Sequence, residues 1–209
     1  MRMKSIIATV AAMFLSLSLS AQTAEEIIDR MNVQLSRADA EGFAMDFNVK
    51  MPIIGKICSH NLIRGDKARM ELAMKDNKAI TWTTSDTKWD YSPEKAEIVI
   101  TSKDTSENKD DGNNLKAFES FGNGYKYKIK KETDEYWLIR CKKLKSNKVK
   151  DDPKKMNLTV AKGTYLPICL EQKGFLMTVS MENVTIGVTE AQVTFNADEF
   201  PGVTITDNR

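Results

Sequence analysis

His60 is the only histidine in the chain, and it stands two residues from Cys58, one of three cysteines. A thiol and an imidazole at that spacing project from the same face of a strand, as a thiol nucleophile or part of a metal site would require. A single histidine rules out a multi-histidine zinc centre, and no acidic partner for His60 is indicated by sequence spacing. A packed thiol beside a surface imidazole accounts for the pair. The sequence holds no GxGxxG, GxxxxGK[ST], HExxH or GxSxG pattern, so the phosphate-cradling, zinc-protease and nucleophile-elbow chemistries those spacings serve are not signalled. Asp104, Glu107, Asp110 and Asp111 fall in one polar stretch, where calcium-loop order and a closing bidentate Glu are missing. The chain is thus expected to be no enzyme, with no catalytic residue, metal or cofactor. An extracellular hydrolase would have only scattered carboxylates behind it.

Two other features invite a functional reading. Seven lysines, from Lys142 to Lys155, crowd the stretch after Cys141 against Asp151 and Asp152. That is either a docking patch for an acidic protein or anionic lipid surface, or a solvated hairpin turning at Pro153. The chain also has eleven methionines and three tryptophans. Met45, Met51, Met70, Met74, Met177 and Met181 lie beside Phe and Trp in strand-like runs, and a flexible Met-rich wall adapts to ligands. An ordinary core is the alternative.

The elements that must position these residues are legible in part. Arg2 and Lys4 precede an apolar run from Ile6 to Leu19 and the small residues Ser18-Leu19-Ser20-Ala21, which predicts a cleavable export signal over residues 1–21. Fourteen apolar residues are too few to span a bilayer comfortably. Removing Arg2 and Lys4 turns 31 basic and 29 acidic residues into a balance near zero, which disfavours general nucleic-acid affinity. Residues 22–209 suit one domain with a sizeable core. Three exported cysteines allow either three free thiols or one disulfide and a thiol.

Thr23-Ala24-Glu25-Glu26 has the form of a capping box, and Ile27, Ile28, Met31 and Leu35 recur at helical spacing, predicting a helix over about 23–38 that closes before Gly42. From Gly42 the period becomes 2: Phe43, Met45, Phe47, Val49 and Met51 alternate with smaller or polar residues. Alternation returns at 70–74, 80–83, 89–91 and 97–100, with turn chemistry between. Leu115, Phe118 and Phe121 fit one face of a two-turn helix ended by Gly122. Strands follow at 125–129, 135–143, 156–161, 166–171, 175–181, 184–188 and 192–196. About eleven strands and two helices predict a mainly β fold, an incomplete (half-open) antiparallel barrel with a helical lid, and a two-sheet sandwich is the alternative.

Three segments carry a resemblance. The export signal, amphipathic helix and long Phe43–Met51 strand, the stretch Ile80-Thr81-Trp82-Thr83-Thr84-Ser85-Asp86-Thr87-Lys88-Trp89-Asp90-Tyr91-Ser92-Pro93-Glu94, and the end from Val193-Thr194-Phe195-Asn196 through Phe200-Pro201-Gly202 to Asp207 resemble, in that order, the periplasmic lipoprotein carrier LolA and its relatives. The resemblance implies a soluble, monomeric periplasmic carrier that shields the acyl chains of lipoproteins between inner and outer membrane, loaded by an inner-membrane transporter and unloaded at an outer-membrane receptor. A cavity lined by Phe43, Met45, Phe47, Val49, Met70, Leu72, Met74, Trp82, Trp89, Tyr91, Ile98 and Ile100 is then expected. Its lid would be Leu115, Phe118 and Phe121, completed by Ile27 and Met31 of the first helix. The family often has a lid-latching arginine before a proline. Here Leu62-Ile63-Arg64-Gly65-Asp66 is the nearest match, with Gly for Pro, so Arg64 is either that latch or a turn arginine. An envelope lipid sensor or interaction module built on the same fold is the alternative function.

Overall fold

The computed structural model describes residues 22–74, 77–103, 124–149 and 152–209. Among the described residues, twelve strands form one sheet in the order β12-β6-β5-β4-β3-β2-β1-β11-β10-β9-β8-β7. They are β1 (Phe43–Met51), β2 (Gly55–Arg64), β3 (Lys67–Met74), β4 (Asn77–Thr83), β5 (Thr87–Ser92), β6 (Glu97–Ser102), β7 (Tyr125–Glu132), β8 (Tyr136–Lys143), β9 (Lys155–Ala161), β10 (Pro167–Lys173), β11 (Thr178–Ile186) and β12 (Thr204–Asp207). Neighbours are antiparallel except β12, which runs parallel to β6 with Ile205 opposite Ile98. The order is linear, so the barrel is incomplete, with β12 and β7 as its edges.

Helix α1 (Ala24–Leu35) starts where the capping box puts it: the Glu26 amide donates to Thr23 Oγ1 at 3.2 Å, and the Thr23 amide to Glu26 Oε2 at 2.9 Å. The expected single helix ends earlier and resumes as one turn, α2 (Ala38–Glu41). Gly42 closes it at φ +73°, where a Cβ would stand 2.7 Å from the Ile63 carbonyl; only glycine fits both demands. Ile27, Ile28, Met31 and Leu35 are buried against Phe43 and Met45 of β1 and an apolar wall of Tyr127, Trp137, Ile139, Leu158 and Val160 from β7–β9. The helix therefore fills one face of the β7–β11 half.

Two of the expected strand assignments need correction. The two strands predicted at 175–181 and 184–188 are one, β11, with a register shift opposite Ala44–Asp46 and Asn183 at φ +56°, a bulge that breaks the alternation. The strand predicted at 192–196 is replaced by a helical turn, α3 (Glu190–Val193), because the Thr189 amide and hydroxyl both donate to Gln192 Oε1. A further strand, β12, forms at Thr204–Asp207, where Val203-Thr204-Ile205-Thr206 alternates over only four residues. All three cysteines are free thiols.

Candidate functional site

Register decides which side chains share a face, since directly opposed residues point the same way. Phe47 of β1 faces Ser59 of β2, Leu72 of β3 and Ala79 of β4, and the next row is Met45, Asn61, Met70 and Thr81. Phe43 faces Ile63, and Val49 faces Ile57. These rows belong to the face that α1 covers. Phe43 and Met45 are buried under the helix, whereas Phe47, Val49, Ile57 and Leu72 are half-buried and Met70 is exposed. They extend an apolar wall beyond the residues packed on α1.

The wall contains a polar step. Asn61 Nδ2 donates to the Ser59 carbonyl at 3.2 Å and to Ser59 Oγ at 3.0 Å, and both side chains are buried. The alternation Ile57, Ser59, Asn61, Ile63 is legible in the sequence, and the β1–β2 register puts it on one face with Phe47.

Trp82, Trp89, Tyr91, Ile98 and Ile100 do not join that wall. Trp82 faces Arg69 and Trp89, and Trp89 faces Ile100; Tyr91 faces Ile80 and Ile98. Because Met70 faces Thr81 in the adjacent row, the apolar side changes over between β3 and β4, and the aromatic set lies on the opposite face of the sheet. That face is already filled. Trp82 meets the rings of Phe195 and Phe200 edge-on at 5.3 and 5.5 Å, Trp89 stacks on Phe195 at 5.7 Å, and Tyr91 lies 4.9 Å from Phe200. Arg69 stands over Trp82 at 5.4 Å. The expected cavity list thus divides between a partly exposed wall on the α1 face and a second cluster packed against the chain after β11. Met74 ends β3 opposite Asn77.

Of the lid residues, Leu115, Phe118 and Phe121 lie outside the described residues, as does the acidic stretch from Asp104 to Asp111. Ile27 and Met31 are completely buried, so they act as core under the sheet. Arg64 lies on the aromatic face. Its Nη1 donates to the carbonyls of Glu41 at 2.8 Å and Val188 at 2.7 Å, and its Nε is 3.8 Å from Glu190. It ties the end of α2 to the start of the C-terminal segment, beside an open cleft of about 360 Å³.

His60 does have an acidic partner, supplied across the β1–β2 ladder. Its Nδ1 lies 2.7 Å from Asp46 Oδ1, and Asn183 Nδ2 donates to Asp46 Oδ2 at 2.8 Å. Partial burial pulls the Asp46 carboxyl up, but the hydrogen bonds from Asn183 and His60 outweigh it and hold the group below its ordinary value. Cys141 is buried in the α1 core, where the loss of solvent pushes its thiol up to about 12; thiolate chemistry is closed to it at neutral pH. No group of three or more metal-ligating side chains occurs among the described residues, and no helix among them is long and apolar enough to cross a membrane.

The fold and the wall together define an incomplete antiparallel barrel with one apolar face partly open. No family model and no curated protein matches the chain. Among solved structures, it is similar to an uncharacterized conserved protein from Thermus thermophilus, with 13% identity, TM-score 0.44, and 90% of this chain and 100% of that one covered. It is also similar to a LolA superfamily protein from Nitrosomonas europaea, with 9% identity, TM-score 0.33, and coverage of 85% and 100%. A third likeness is to MucB in complex with MucA(peri), with 13% identity, TM-score 0.42, and coverage of 84% and 61%.

Proposed function

We propose that this chain is a periplasmic carrier that holds the acyl chains of a lipoprotein, or of another acylated ligand, against the half-open wall of Phe47, Val49, Ile57, Met70 and Leu72. The observation that carries the reading is that this wall continues the α1 core without being packed into it. Each CH₂ of an acyl chain moved from water onto such a surface is worth roughly 0.8 kcal/mol, so a carrier needs apolar area and no catalytic group. The Ser59–Asn61 step offers hydroxyl and amide groups within the wall, where a ligand's ester or amide linkage would otherwise lie among apolar side chains.

In this reading the protein is exported, is monomeric and is no enzyme. It has no nucleic-acid partner and receives and delivers its cargo through a transporter at the inner membrane and a receptor at the outer one. The sequence resemblance supports the same role. The test is displacement: an apolar fluorescent probe binds the purified protein and a diacylated lipopeptide competes it off, while the same peptide without acyl chains does not. Failure of the lipopeptide to displace the probe overturns the proposal, and recovery of a co-purified diacyl species by native mass spectrometry supports it.

A further inference from the structure

Exposed apolar residues are not scattered over this molecule. Among the described residues, most of the exposed large apolar side chains lie in hairpin connections, and register shows that these connections share one end of the sheet. Strand β1 runs out at Met51 opposite Gly55, while Lys50 faces Thr178 at the start of β11, which in turn faces Lys173 at the end of β10. The β1–β2 and β10–β11 tips are therefore neighbours. Glu171 of β10 faces Asn157 of β9, and Lys155 faces Lys142 of β8, so the lysine-rich β8–β9 connection projects from the same end.

The two adjacent tips, Pro52-Ile53-Ile54 and Gly174-Phe175-Leu176-Met177, contain no charge. Ile53 is 97% exposed and Phe175 99%, as far into solvent as such side chains reach. In the third connection Asn147 fixes the turn, donating to Asp152 Oδ2 at 2.6 Å and accepting from the Val149 amide at 3.0 Å, with Leu144 and Val149 exposed. Behind the tips runs a basic row: Lys173, Thr178, Lys50 and Lys56 stand side by side across four strands, with Lys50 directly opposite Lys56. Lys173 is paired with Glu171 at 3.3 Å, whereas Lys50 and Lys56 face each other as like charges, which repel and which an anionic surface would relieve. Lys142, Lys145, Lys148, Lys154 and Lys155 are exposed around the third connection.

Uncharged apolar tips backed by a lysine row match the chemistry of a bilayer interface, where apolar side chains enter the headgroup region and lysines meet lipid phosphates. We propose that this rim is a membrane-docking edge that seats on bilayers containing anionic phospholipid, with Ile53, Ile54, Phe175 and Leu176 inserted and Lys50, Lys56 and Lys173 on the headgroups. The proposal does not depend on the acyl-carrier reading, because vesicles without lipoprotein test it.

The experiment is co-sedimentation of the purified protein with vesicles of phosphatidylcholine alone and of phosphatidylcholine mixed with phosphatidylglycerol, across a salt series. Binding is expected to the mixed vesicles and to weaken with salt. Ile53→Ser/Ile54→Ser and Phe175→Ser/Leu176→Ser should each weaken it roughly tenfold or more. Lys50→Gln/Lys56→Gln should weaken it roughly fivefold per lysine. Val33→Ser, which changes another exposed apolar residue on α1, should leave it unchanged, with circular dichroism checking that every variant folds. The proposal is overturned by no binding to mixed vesicles, by tip variants that bind like the parent, or by a Val33→Ser variant that loses as much. Tip-dependent self-association or capture of an acidic protein, without vesicle binding, overturns it too.

Discussion

Replacing Phe47, Met70 and Leu72 together by serine separates the two apolar faces of the sheet. None of the three is fully buried, so their removal takes little packing from the protein and mostly removes area that a ligand would cover. Full burial of such a side chain is worth about 1.5–3 kcal/mol. With roughly half already covered, an acyl chain recovers about 1 kcal/mol at each position, or about 3 kcal/mol in all. At about 1.4 kcal/mol per decade, that is a Kd for the lipopeptide about a hundredfold weaker. The assay is displacement of a wall-bound fluorescent probe, run beside a thermal melt. Trp89→Ser is the counterpart: Trp89 stacks on Phe195 across the other face, so it should lower the melting temperature and leave Kd within about threefold. A triple variant that binds like the parent, or a Trp89→Ser variant that loses affinity as much, refutes the assignment of the ligand to the α1 face.

Met31→Ala should cost about 2–5 kcal/mol in urea unfolding, because a completely buried side chain leaves a cavity between α1 and the β7–β9 wall. Arg64→Ala should cost about 2 kcal/mol and leave probe affinity unchanged, because its hydrogen bonds join the Glu41 and Val188 carbonyls on the opposite face; a loss of affinity at constant stability would point to the latch role instead. Stability should also fall on the alkaline side. The Cys141 thiol is raised from an ordinary 9.0 to about 12 by burial. The unfolded chain therefore loses that proton first, and the thiol's contribution is complete below about 9 and is lost as pH rises toward 12. Urea midpoints taken across that interval should decline less steeply in Cys141→Ala, and parallel slopes would count against the buried-thiol account.

Local features of the sequence transferred well to the structure. The Thr23–Glu26 box and the Ile27-Ile28-Met31-Leu35 stripe placed α1 and its buried face, and the alternation from Phe43 to Met51 placed β1 to the residue. What the alternation does not contain is the relation between strands. Whether Trp82 shares a face with Leu72 depends on which residue of β3 it opposes, and it opposes Arg69. The same gap hid the Asp46–His60 pair, 14 residues apart but adjacent across a ladder. It also let one bulged strand pass as two. At β12, Val203-Thr204-Ile205-Thr206 alternates as a strand does, but nothing local names its partner β6, more than a hundred residues earlier, or its parallel direction.

That strand has a consequence for how the chain is made. Translation releases β4, β5 and β6 long before residues 193–207 exist, and until those arrive Trp82, Trp89 and Tyr91 have no Phe195 or Phe200 to pack on and the β6 edge has no partner. A growing chain would present a sticky aromatic ribbon along an unpaired edge, the kind of surface that chaperones hold and that aggregates when they do not. Premature termination between Ile186 and Phe200 should therefore yield insoluble protein, even though every strand of the α1 face would already have been synthesised.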